Sequence, residues 1–204
     1  MRITRTTRTL VAAVALTLLV GACNNGGDGG GGGGSDTGSD TGTQTVSAET
    51  FVDAVCGELT TWITALQDKG ETMQQQAAGA SPAKARDLLT GYLDDAISAT
   101  QEASAAIGEA GAPDVENGEQ TSQAIIGVLD QVEQIFTGAR EKVSQLPDDP
   151  AQFQAGAAEI GADISSAFAE NPLAGVQEDA ALSEAFANSE ACSEMSSMSS
   201  ATAP

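Results

Sequence analysis

Three cysteines (Cys23, Cys56 and Cys192), four methionines and 29 carboxylates are the residues here that could do chemistry, and the 204-residue chain has no histidine. Histidine is the commonest general base and the commonest transition-metal ligand. Its absence excludes serine–histidine and cysteine–histidine catalysis. Carboxylates are abundant but poorly placed: neighbours such as Asp94 and Asp95 project about 100° apart on a helix, and glycoside hydrolysis needs two carboxyls facing across a cleft. Asp28, Asp36 and Asp40 lack the alternate spacing and terminal glutamate of a calcium loop. Met195 and Met198 could offer thioethers to soft copper, but neither histidine nor a third sulfur accompanies them. These patterns give no expected catalytic residue, metal ligand or cofactor.

The remaining chemistry belongs to the thiols, and the first of them follows an export signal. Arg2, Arg5 and Arg8 precede an apolar run from Leu10 to Val20, with small residues after it. A basic segment, an apolar stretch and a small-residue site describe a secretory signal. The run falls short of the ~20 residues that span a bilayer. Val20-Gly21-Ala22-Cys23 then resembles the lipobox of bacterial lipoproteins. That resemblance implies cleavage between Ala22 and Cys23, a diacylglyceryl group on the Cys23 thiol, and a body held at the extracytoplasmic face of the cell membrane. Two acyl chains, at about 0.8 kcal/mol per buried methylene, give stable anchoring where one is marginal.

Cys56 and Cys192 lie in the body of the chain, 136 residues apart. Outside the cytoplasm, two cysteines in a folded domain most often pair, so a disulfide is expected. The chain-entropy estimate for a loop of this length is roughly 5 kcal/mol. Two buried free thiols or a redox pair are the alternatives, the latter without a CxxC motif or an evident activating neighbour.

Charge narrows the function classes further. Removing residues 1–22 takes three of the eight basic residues and none of the acidic ones, leaving Lys69, Lys84, Arg86, Arg140 and Lys142 and a formal charge of −24. Such a surface repels phosphate backbones, which argues against nucleic acid as a partner. Anionic headgroups would repel it too, favouring a body held away from the bilayer.

Residues 23–45 form a Gly/Ser/Thr/Asp-rich stretch with no large apolar residue, in which SDTG occurs twice. This reads as a disordered, flexible tether with a typical span of about 25 Å. Residues 46–195 carry every aromatic residue of the chain and change to a helical pattern. Ser47 caps a first helix, with Phe51, Val55, Leu59, Trp62 and Leu66 as its stripe. Ser81-Pro82 opens a second, carrying Leu88, Leu89, Tyr92, Leu93, Ala96, Ile97, Ala103 and Ile107. A third begins near Asp114, carries Ile125, Leu129, Val132, Phe136, Val143 and Leu146, and stops at Pro147. Asp149-Pro150-Ala151-Gln152 is a capping-box pattern that opens a fourth, with Phe153, Ala157, Ile160, Ile164 and Phe168. Asn171-Pro172 interrupts it, and a shorter final helix carries Leu182, Phe186 and Cys192. The expectation is an all-α, up-and-down bundle of four long helices plus a shorter C-terminal helix. A disordered polar tail over 196–204 is expected beyond it.

Gly127, Gly138, Gly156 and Gly161 interrupt the third and fourth helices at a cost of up to about 1 kcal/mol each. They allow either close helix packing or a groove for an apolar ligand or partner segment. Trp62 and Tyr92 are candidates to line that groove, or plain core residues. The phrase from Gly111 to Gly118, GAPDVENG, together with the cysteine in FVDAVCGEL and the late cysteine, resembles small actinobacterial lipoproteins of unknown function. The leading expectation is a non-enzymatic, membrane-anchored envelope lipoprotein that acts as a binding or scaffold module outside the cytoplasmic membrane, with an envelope protein as one candidate partner. The alternatives are an extracytoplasmic carrier of a small apolar or cationic ligand and, less favoured, a carboxylate-dependent enzyme.

Overall fold

The computed structural model describes residues 44–167, Leu173, Val176 and 179–201. The export segment with Ala22 and Cys23, the tether up to residue 43, Phe168 and Asn171-Pro172 lie outside the described residues. Helix takes up 83% of what is described, so the domain is all-α. The elements are β1 (Thr45–Val46), α1 (Ala48–Ala77), α2 (Pro82–Glu109), β2 (Ala112–Pro113), α3 (Gly118–Ser144), α4 (Pro150–Ala167), α5 (Ala180–Asn188) and α6 (Glu190–Ala201).

Local chemistry sets the helix ends. The Ser47 hydroxyl accepts from the Thr50 amide at 3.2 Å, and that of Ser81 from the Lys84 amide at 3.4 Å, each satisfying one of the free amides of a first turn. Asp149 accepts from the Gln152 amide at 3.0 Å and opens α4. Gly79, at φ 77°, ends α1 in a conformation that favours glycine. The third helix starts four residues later than Asp114, because Ala112 and Asp114 give their amides to the backbone of the incoming chain instead. Those bonds run to Gln44 O at 2.9 Å and Val46 O at 2.7 Å, and they form the parallel β1–β2 pair.

The long helices alternate in direction. On the α1–α2 face, Trp62 meets Thr100 and Gly70 meets the Tyr92 ring. On the α2–α3 face, Gln101 meets Glu133 and Asp94 meets Arg140. Helix α4 returns along α3, with Leu146 against Gly156 and Lys142 against Asp163. Helices α5 and α6 also pack against α1. The three longest helices have 30, 28 and 27 residues, whereas the fourth has 18 described. Phe51, Ile107, Ile125, Leu129, Phe136 and Leu182 are among the fully buried side chains at the centre.

Two further boundaries differ from the sequence reading. The single final helix is broken at Ser189, whose extended backbone (φ −75°, ψ 126°) separates α5 from α6. Helix α6 then continues to Ala201, past the point at 196 where a disordered tail was expected. Met195 gives the reason: its side chain is 5% exposed and belongs to the core, so burial holds this stretch in place.

Candidate functional site

Cys56 sits on α1 between Val52 and Leu59, and Cys192 lies in the first turn of α6; both are 1% exposed. They are joined in a disulfide with Cα atoms 5.0 Å apart. The turn carrying Cys192 is positioned by Ser189, whose hydroxyl accepts from the Cys192 amide at 3.2 Å and donates to Asp53 Oδ1 at 2.6 Å. A charge-assisted bond and a covalent one thus fasten α6 to the same stretch of α1. The thiolate of an external reductant has no direct path to sulfurs this deeply covered, which gives the pair the character of a staple. The space between Phe51, Val55 and Cys56 on one side and Leu173, Val176 and Phe186 on the other is filled.

The second candidate is a cleft of about 230 Å³ between α3 and α4. Ile135, Gly138 and Ala139 supply one wall, and Ile160 and Ile164 the other; Gln134, Lys142 and Asp163 complete the lining. The Lys142 ammonium donates to Asp163 Oδ2 at 2.6 Å across the two helices. That hydrogen bond, with the neighbouring negative charge, holds the lysine above its usual pKa. A Cβ at Gly138 would meet nothing within 4 Å, so here glycine opens space. Gly127 is equally open, whereas a Cβ at Gly156 would collide with the Leu146 side chain. Gly161 contributes its carbonyl, which accepts from the Ser165 hydroxyl at 2.9 Å. The two sequence readings of the glycines therefore divide by residue: Gly156 serves close packing and Gly138 serves the cleft.

Trp62 and Tyr92 do not line this cleft. Trp62 is buried between α1 and α2, where its indole N–H donates to Thr100 Oγ1 at 3.0 Å and the Thr100 hydroxyl donates onward to Ala96 O at 2.8 Å. Tyr92 lies over Gly70 on the same interhelical face, and burial raises its pKa above the usual 10.0.

The GAPDVENG phrase builds the clamp that receives the chain at Gln44 to Val46. Gly111 takes φ 89°, and any Cβ there would strike the Gln44 carbonyl; a Cβ at Gly118 would strike the Pro113 carbonyl. Ser122 ties the loop to α3 by donating to Gly111 O at 3.2 Å. Met195 and Met198 lie along α1, with the Thr64 hydroxyl 3.8 Å from Met198 Sδ. Among the described residues no group of three histidine, cysteine or carboxylate side chains is gathered for a metal ion.

Sequence reasoning missed the roles of Ser189, Asp53 and the Lys142–Asp163 pair. Ser189 had a local signal, since a serine three residues before Cys192 matches a helix cap. Asp53 and Asp163 had none, because their partners come from distant parts of the chain. No family model matches this chain, and neither a curated protein nor a solved structure matches it.

Proposed function

We propose that this chain is a lipid-anchored lipoprotein of the cell envelope, a non-enzymatic module that binds or scaffolds a protein partner on the extracytoplasmic face of the membrane. The observation that carries the reading is the sequence Val20-Gly21-Ala22-Cys23, placed directly after a basic and apolar export segment. The buried disulfide supports it, because such bonds persist outside the reducing cytoplasm. No helix among the described residues is long and apolar enough to cross a membrane; in this reading attachment falls to Cys23. Metabolic labelling with a radioactive fatty acid tests it. The wild-type chain should take up label and float with membranes, and Cys23→Ala should lose both. Unchanged labelling of that variant would sink the anchor. Crosslinking from intact cells should then capture a protein partner.

The cleft between α3 and α4 favours a second reading, a carrier of a small apolar ligand. Its volume of about 230 Å³ lies just below the usual ~300–1,000 Å³ of ligand pockets. Mass spectrometry of the purified protein should find a bound molecule that Gly138→Leu displaces. A ligand-free wild type would remove this reading.

A further inference from the structure

We infer that the ligand of the α3–α4 cleft is a small amphiphilic amine bound as its ammonium ion, with its hydrocarbon between Ile135, Ile160 and Ile164 and its charge on Asp163. The inference rests on the carrier reading above and adds the chemical class of what is carried.

The cleft lies in the half of the bundle nearer the α1–α2 hairpin tip, between the levels at which Glu133 meets Gln101 and Arg140 meets Asp94. Its walls are apolar, with Ile135, Gly138 and Ala139 facing Ile160 and Ile164. Glycine at 138 keeps it open, since a Cβ there would enter empty space. The volume of about 230 Å³ holds on the order of six to eight carbon-sized groups, at the ~30 Å³ that a water takes in the liquid.

Charge around the mouth then separates the head groups that such a hydrocarbon can carry. Among the described residues Lys142 is the one cation of the lining, and it is already engaged with Asp163 Oδ2 at 2.6 Å. The other carboxylate oxygen, Asp163 Oδ1, takes no hydrogen bond from the described residues. Both side chains are half-exposed, so an incoming head group reaches them without crossing the core. The other cations nearby are matched as well, Arg140 to Asp94 and Arg86 to Asp148. Neither α3 nor α4 holds a further basic residue. Glu141 and Glu159 are exposed beside the cleft and form no ion pair with the described residues, and the charge of Glu159 acts on Lys142. Carboxylates are therefore in excess.

An anionic head group would have to take Lys142 from Asp163 and lie among these carboxylates. A neutral one gains no charge contact. An ammonium can use Asp163 Oδ1 beside Lys142, or displace Lys142, whose side chain then swings into water. Lys142 is thus a built-in competitor for the ligand's charge. An exposed ion pair holds by no more than about 5-fold, which two buried methylenes outweigh at ~4-fold each.

The test titrates purified protein, its isoleucine methyl groups isotope-labelled for NMR, with hexylamine, hexanol and hexanoate near neutral pH. The three probes share one apolar chain and differ in head-group charge. The Ile135, Ile160 and Ile164 signals should report hexylamine binding about 2–5-fold tighter than hexanol, with hexanoate weakest. The preference for the amine should shrink at ~0.5 M salt. Lys142→Met should tighten hexylamine by up to ~5-fold and leave hexanol within ~2-fold of its wild-type affinity. Asp163→Asn should bring hexylamine level with hexanol and strengthen hexanoate, because Lys142 is then unpaired. Hexanol binding to the wild type as tightly as hexylamine, or weaker hexylamine binding by Lys142→Met, would overturn the inference and leave a carrier of neutral ligands in place. Isoleucine signals that none of the three probes moves would overturn the inference and the carrier reading together.

Discussion

The clamp end of the bundle and its hairpin tip are held together by different physics. Near the clamp, α1 buries Phe51, Val52, Val55 and Cys56, the disulfide reaches across to α6, and Ser189 and Asp53 reinforce the same junction. Toward the tip no residue of α1 beyond Leu66 is buried, nor is any residue of α2 before Leu93. Between α1 and α2 cohesion there comes from half-buried Leu89 and Tyr92 and from exposed ion pairs, while α3 and α4 still bury Ala139, Val143, Phe153 and Ile160 at that level; a further polar tie comes from Arg86. Its guanidinium donates to Leu146 O at 2.6 Å and to Asp148 at 2.8 Å, tying α2 to the α3–α4 connection. The comparison teaches that α1 is sealed by apolar packing at the clamp, whereas at the tip it meets α2 through half-buried and polar side chains and the apolar packing passes to α3 and α4.

The sharpest way to break this contrast is to remove the staple. Cys56→Ala with Cys192→Ala should cost up to about 5 kcal/mol by the chain-entropy estimate, read as a lowered urea midpoint under non-reducing conditions. A midpoint no lower than that of a tip variant would erase the distinction between the two ends. At the waist, Thr100→Val leaves the Trp62 indole N–H buried without its acceptor. A loss of about 1–3 kcal/mol is expected, with a change in tryptophan fluorescence, and an unchanged midpoint would mean that the bond contributes nothing net. Gly138→Ala should stabilise by up to ~1 kcal/mol through helix propensity, because its Cβ enters open space. Gly156→Ala forces Leu146 to shift and should gain less, so equal thermal midpoints for the pair would contradict the packing described. The smallest effect belongs to the tip ion pairs. Asp94→Asn removes the partner of half-exposed Arg140 and should cost less than ~1 kcal/mol, fading further in high salt.

Much of this architecture was legible in the residues. The stripe from Phe51 to Leu66 and the caps at Ser47, Ser81 and Asp149 are local signals, and local physics decides them. The disulfide was legible from compartment chemistry. Long-range competition hid the rest. Asp114 sits where a helix could begin, yet its amide pairs with Val46, more than 60 residues earlier. The Ser-rich stretch after Cys192 reads as a tail until Met195 is seen in the core. The cleft needed two helices in register before Gly138 and Ile160 could face one space, and no single stripe encodes that register.

The staple between Cys56 and Cys192 has one more consequence, and it concerns damage. The bond closes a ring that contains nearly the whole folded body, including the exposed turn at Ala78 and Gly79. A protease that cuts once anywhere inside the ring leaves both fragments covalently joined to each other. Release of either piece requires a second cut or reduction of a bond that the fold conceals. A nicked molecule therefore keeps its full mass, and under the anchored reading proposed above it would also stay attached.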